Sequence, residues 1–353
     1  MTASKLRVAL DARSIQEQPP NGVARVTAQV LPLLADRVEF DLLTAAEDPP
    51  TGLGLPEHPL RTPWPGLKTA WLQVPAARWL RGYDGIFHCP WYALPFVQRV
   101  PMVVTLHDLT FERHPEWFGR ARRRSYVVQA RWAARTARSI LTTSRTVADD
   151  VMRTYRVPAD RLFVALPTVD PVFRPGHDAT AVLQRLGVRS PYVVAVGGGS
   201  PRRNLPAAIE AWRAVREETR LDLVVLGNNP VPAEDGLVVA QLDDTDWAAV
   251  LGNAAALLYP TFYEGFGLPA AEAAASGTPV VCARVGSLPE VLGDAAAWCE
   301  APTATAVAPV LRRLVQSPEW ARELAAAGLE RARVLQSGAP AEQYFAAYLR
   351  AAG

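Results

Sequence analysis

The chain has 353 residues, 49% of them hydrophobic and 20% charged, too long for one compact core and suited to two domains of a soluble globular protein. A formal net charge of +2 argues against a nucleic-acid partner, and neither a signal peptide nor an apolar run of bilayer-spanning length is expected. Three scattered cysteines, Cys89, Cys282 and Cys299, fit reduced thiols in the cytoplasm and match no zinc spacing. Lysine stands only at Lys5 and Lys68, so arginine carries nearly all the positive charge.

In chain order, Leu6–Leu10 reads as a strand, and Asp11–Asn21 is a long loop containing Pro19 and Pro20. Asn21 caps, and Gly22 leads into, an amphipathic helix over Val23–Leu34. Val38–Thr44 is a strand, Glu47–Pro65 a proline-rich loop and Gly85–His88 a short strand. Just after it, Trp91 is assigned to the core, while Tyr92 is open between core packing and stacking on a sugar. Pro101–Leu106 is a β-branched strand ending in His107-Asp108-Leu109. Ligands of open α/β sheets bind beyond the carboxyl ends of strands, which puts His107 at a candidate site and leaves Asp108 to loop structure.

Arg120–Arg138 is a basic helix on which Arg124, Arg131, Arg135 and Arg138 fall near one face. A solvated helix face is its plainer reading; peripheral contact with anionic lipid is the other. Ser139–Thr143 is a strand, Ser144 caps a helix through Tyr155, Leu162–Leu166 is a strand, and Pro171–Ser190 is interdomain.

The second half repeats the alternation. Tyr192–Val196 is a strand, and Gly197-Gly-Gly-Ser-Pro-Arg202-Arg203-Asn204 leads into a helix over Pro206–Glu217. Leu221–Leu226 and Gly236–Val239 are strands on either side of a loop that begins Gly227-Asn-Asn-Pro. Asp246–Gly252 is a short helix with Asp246 as its cap. Asp244-Thr245-Asp246 has the form of a metal-binding Asp-x-Asp tripeptide, and the cap makes it structural. Thr303–Ser317, Glu319–Val334 and Pro340–Ala351 are amphipathic helices.

Between them lies the densest stretch, Ala254–Glu290: an apolar strand, a glycine turn over Pro260–Leu268, a helix opened by Pro269 and stopped at Ser276-Gly277, and a second strand over Pro279–Cys282. Backbone N–H groups near Leu268–Ala271 attract an anion into the turn, and Gly265 and Gly267 let it approach closely. Glu264 and Glu272 flank that position. Carboxylates repel phosphate, so they suit neutral hydroxyls on either side of it, as in a nucleotide sugar. For Glu272 alone, complementing the helix dipole is the plainer reading.

Glu264-Gly-Phe-Gly-Leu-Pro-Ala-Ala-Glu272, Ser276-Gly-Thr-Pro-Val-Val and Leu288-Pro-Glu-Val together resemble the signature of the family-4 retaining glycosyltransferases. The resemblance implies an α/β chain with the GT-B fold, two Rossmann-like domains facing an interdomain cleft. Residues 1–175 form the acceptor-side domain, onto which a helix at about 338–353 packs back, and 190–337 form the nucleotide-sugar domain. It implies transfer of a hexose, from UDP- or GDP-hexose in the first place, to a saccharide or lipid-linked acceptor in surface-polysaccharide assembly. Anomeric configuration is retained, and neither metal nor pyridoxal phosphate is needed. The implied roles place His107, Glu264 and Arg203 at the reacting centre. Donor contacts come from Arg202, Arg203, Gly265, Phe266, Gly267, Leu268 and Glu272, and the acceptor or phosphate loop holds Asn21, Gly22 and Tyr92.

The chain departs from the family where an arginine follows the strand in some branches: Gly197 and Gly198 stand there instead. Arg203 takes the place of the family's lysine. A phosphorylase using pyridoxal phosphate is excluded, because no lysine follows Lys68. A nucleotide-sugar epimerase on the same fold and a non-catalytic nucleotide-sugar-binding protein are the alternatives.

Overall fold

The computed structural model describes residues 5–353 except 18–20, 63–67, 98, 190, 228–230 and 233, with the side chains of Lys68 and Thr69 also left aside. Pro19, Pro20, Ser190 and the Asn228-Asn229-Pro230 turn lie outside the described residues. Contacts divide the chain into two units, Met1–Thr168 with Gly338–Gly353, and Val169–Ser337. The break falls at residue 168, and not after 175, because Val169–Phe173 packs with the second unit; its Phe173 carbonyl accepts from Gln336.

The first unit runs β1 (Leu6–Asp11), α1 (Gly22–Leu34), β2 (Val38–Ala45), β3 (Glu57–Leu60), α2 (Lys68–Trp71), α3 (Ala77–Trp79), β4 (Ile86–Cys89), β5 (Met102–Leu106), α4 (Thr110–Arg113), α5 (Arg120–Thr136), β6 (Ser139–Thr142), α6 (Arg145–Tyr155) and β7 (Leu162–Val164). Its sheet has the order β3-β2-β1-β4-β5-β6-β7 with every neighbouring pair parallel. β5 is wholly buried, as expected of an inner parallel strand covered on both faces. Strand β3 falls inside the stretch that the sequence marks as loop. Pro59 hides it, and Pro59 is tolerated because β3 is the sheet edge.

The second unit runs α7 (Thr180–Leu186), β8 (Tyr192–Val196), α8 (Leu205–Thr219), β9 (Asp222–Leu226), β10 (Leu237–Ala240), α9 (Asp244–Gly252), β11 (Leu257–Tyr259), α10 (Leu268–Ala275), β12 (Val280–Ala283), α11 (Leu288–Leu292), β13 (Ala296–Cys299), α12 (Ala304–Gln316) and α13 (Pro318–Leu335). Its sheet order is β10-β9-β8-β11-β12-β13, again parallel throughout. In each sheet the order reverses beside the first strand, between β1 and β4 and between β8 and β11. Such reversals open the crevice in which α/β proteins hold ligands.

The last helix, α14 (Ala339–Ala352), belongs to the first unit. Arg37 grips Glu342 through two bonds of 3.0 and 2.8 Å, and Arg138 donates to the Ala351 carbonyl. At the buried centre, His88 on β4 lies 2.8 Å from both the Tyr348 hydroxyl and Thr105 Oγ1. No helix among the described residues is long and apolar enough to cross a membrane.

Burial lowers the His88 pKa from its ordinary 6.5 to about 3, since charging an enclosed imidazole forfeits its hydration. The unfolded chain therefore binds this proton more readily. The contribution of His88 is fully present above about pH 6.5 and is lost as the pH falls towards 3, at up to about 1.4 kcal/mol per unit. Urea unfolding at pH 7.5 and 5 should show this loss in the parent and a shallower dependence in His88→Gln. Equal slopes would remove His88 from the account.

Candidate functional site

The loops after β8 and β11 emerge on either side of the reversal in the second sheet, and they carry the candidate residues Arg202, Arg203 and Glu264. After β8 the chain turns through three glycines. Arg203 folds back and donates from Nη1 to the Gly197 carbonyl. A Cβ on Gly198, which has φ +113°, would lie 2.5 Å from that same nitrogen, so the guanidinium occupies the room a side chain at 198 would need. The buried Arg203 Nε meets no acceptor among the described residues. A buried N–H of this kind is open to an acceptor from outside the chain.

Arg202 turns to the other loop. Its Nη1 donates to Glu264 Oε2 at 2.5 Å, and the Tyr259 hydroxyl donates to Glu264 Oε1 at 2.5 Å. Glu264 is only 4% exposed. A buried carboxylate is tolerated when its oxygens are paired, and here the strand end supplies one partner and the β8 loop the other. Burial raises the Tyr259 phenol well above its ordinary range, so it stays protonated and donates. The Arg202 carbonyl accepts from Phe262 N and Thr261 Oγ1, both at 2.9 Å, which ties the two loops together through the main chain. The Glu264 carbonyl accepts from Ser287 N and Oγ at 3.0 and 3.1 Å.

Gly267 caps α10. Ala270 and Ala271 donate to its carbonyl at 3.0 and 3.1 Å, and Pro269 has no N–H. The donors expected over 268–271 thus reduce to Leu268, a correction that follows from the tight first turn. Phe266 is buried. Glu272 is buried one turn into α10, where Oε2 accepts from Trp247 Nε1 at 3.1 Å. Asp243, not Asp246, caps α9: its side chain accepts from Asp246 N, while the Asp246 carboxylate pairs with Arg185 on α7.

In the first unit His107 follows β5 and lies 3.0 Å from the Pro90 carbonyl, at the end of β4, through Nε2. A carbonyl only accepts, so Nε2 carries the proton. Burial lowers the ring's pKa, which keeps it neutral and leaves Nδ1 as an acceptor. Asp108 accepts from Thr110 N at 2.8 Å, the loop role its position suggests. Asn21 caps α1 by accepting from Ala24 N at 3.0 Å and donates to Glu17 at 2.6 Å; Gly22 opens the helix, exposed. Tyr92, half-buried, packs on Phe111 and Tyr126 at centroid distances of 5.3 and 4.9 Å.

Sequence reasoning missed a pair at the end of β1. Asp11, wholly buried, takes Arg13 Nε and Nη2 at 2.9 and 2.7 Å, and the guanidinium lies 3.9 Å over the Trp71 ring. Nothing in an Asp-x-Arg spacing announces it. On α5, Arg124, Arg135 and Val128 are exposed, Arg123 and Arg131 reach Glu112, and Arg122 reaches the Tyr126 hydroxyl.

Residues 20–173 match the model of the family described as Glycosyltransferase Family 4, and residues 190–317 that of Glycosyl transferases group 1. O-antigen chain mannosyltransferase B of Escherichia coli is 29% identical over 72% of this chain and 71% of its own length. MMP alpha-(1->4)-mannosyltransferase of Mycolicibacterium hassiacum is 31% identical over 66% of this chain and 61% of its own. Among solved structures, Anabaena HepE in complex with UDP and glucose superposes with a TM-score of 0.77 at 16% identity, covering 98% of this chain and 99% of that one.

Proposed function

This chain belongs to glycosyltransferase family 4, with the GT-B fold and hexosyl transfer as its activity, and from that premise we propose a retaining transfer from a nucleotide sugar to a saccharide or lipid-linked acceptor. The observation that carries the reading is the pair Arg202, on buried Glu264, and Arg203, folded onto the Gly197 carbonyl, on loops that leave β8 and β11 where the strand order of the second sheet reverses. A departing nucleoside diphosphate leaves negative charge, and a helix end offers at most about 2 kcal/mol against it. The two guanidinium groups, with Arg203 held in place on the glycine turn, supply the rest, arginine's fork being suited to phosphate, and the proposal needs no metal.

Under this reading Glu264 accepts from a hydroxyl of the donor sugar, and Glu272 from the ribose. His107, neutral, offers Nδ1 to a sugar hydroxyl. The bond from the anomeric carbon to the diphosphate oxygen breaks while the acceptor oxygen bonds to that carbon on the same face. The acceptor's proton goes to the departing phosphate. UDP- and GDP-hexoses are the donors to try first; HepE was solved with UDP and glucose.

The test uses water as a surrogate acceptor. With enzyme in excess over an α-linked donor, proton NMR should show the α-hexose first and the β-anomer only as mutarotation proceeds. A β-hexose appearing first would overturn retention. A new nucleotide sugar formed with no acceptor present would favour the epimerase.

A further inference from the structure

The Glu264 carboxylate is held from two sides, by the buried Tyr259 hydroxyl and by the part-exposed Arg202 guanidinium. We propose that Arg202 is a shared cation: it holds Glu264 in the ligand-free protein and passes to the donor's diphosphate on binding, which releases the carboxylate to a sugar hydroxyl. The proposal rests on the nucleotide-sugar reading and assigns the order of contacts within that site.

Three observations carry it. Arg203 is confined, with Nη1 on the Gly197 carbonyl and its guanidinium in the space over Gly198. Arg202 has its main chain pinned to the Thr261–Phe262 loop, yet its side chain is 20% exposed, so the guanidinium can move without the backbone. Tyr259 is buried and stays on Oε1, so Glu264 keeps a donor when Arg202 leaves. The electrostatics run in the direction of the exchange. Without ligand, a buried carboxylate facing no cation is costly. With a diphosphate bound nearby, the same cation gains more from the doubly charged group, and a neutral hydroxyl suffices for the carboxylate. The chain carries no arginine at 197 or 198, so beside the confined Arg203 the cation that moves has to come from elsewhere on the turn, and Arg202 is placed to supply it.

Calorimetry on the full chain tests this with UDP, GDP, ADP and dTDP and the matching monophosphates. For the diphosphate that binds, Arg202→Gln should weaken affinity about tenfold or more, as loss of a charged hydrogen bond does. Monophosphate affinity should fall less than diphosphate affinity, and the urea unfolding transition of the variant reports that it is folded. Glu264→Gln should tighten the diphosphate about fivefold, the worth of a partly exposed ion pair no longer competing. In the Arg202→Gln background the same change should bring no gain. If the gain persists there, Glu264 acts only as a distant charge and the exchange is wrong. It is equally wrong if Glu264→Gln fails to tighten binding or if Arg202→Gln binds the diphosphate as the parent does. Binding by none of the nucleotides would sink the nucleotide-sugar reading itself, and the exchange with it.

Discussion

Replacing Arg203 with alanine should lower the rate of nucleoside diphosphate release by about 10²–10³-fold, the loss seen when one fixed donor to developing negative charge is removed. The reason is positional. Arg203 is locked against the glycine turn with a buried Nε that meets no acceptor among the described residues, so it presents charge without reorganising when the leaving group departs. Arg203→Lys should recover part of the rate, since a lysine restores the charge but not the fork. Single-turnover kinetics separate this effect from binding. A loss confined to KM, with kcat unchanged, would mean that Arg203 only holds the donor.

Gly286→Ala should destabilise the protein by about 2–4 kcal/mol, from an unfavourable positive φ together with overpacking. Gly286 has φ +53°, and a Cβ there would meet backbone atoms of Glu264, its nitrogen at 2.7 Å. Backbone cannot step aside as a side-chain tip can, so the loop holding Glu264 must move and activity should fall as well. Gly187→Ala is the control: φ is +68°, but nothing lies within 4 Å, and about 1 kcal/mol is expected from the conformation alone. Urea unfolding checks both. Equal losses at the two sites would show that the contact with Glu264 is immaterial.

Much of this architecture is legible in the sequence because both halves alternate buried apolar runs with capped helices. The caps at Asn21 and Ser144 and the strand–glycine–helix unit around Glu264 follow from local chemistry. β3 escapes because a proline sits in a four-residue edge strand. The boundary near 168 escapes because packing, not composition, decides where Val169–Phe173 belongs.

At the site, the motif gives the identities of Glu264, Arg203 and Glu272, but not their partners. Arg202 reads equally as a solvated loop residue, since its bond to Glu264 joins positions 62 residues apart. Tyr259 reads only as the end of a buried strand, and Trp247 only as an apolar helix residue. Such pairings depend on which strand ends meet at a reversal of order, information that lies in the topology and in no single stretch.

The most direct measurement incubates the protein, in excess EDTA, with UDP-, GDP-, ADP- and dTDP-hexoses and follows release of the nucleoside diphosphate, with Glu264→Ala alongside. Release from one donor, undiminished by EDTA and lost in the variant, is the predicted result. No release until Mn²⁺ or Mg²⁺ is added would contradict the account and return Asp244 and Asp246 to the role it denies them.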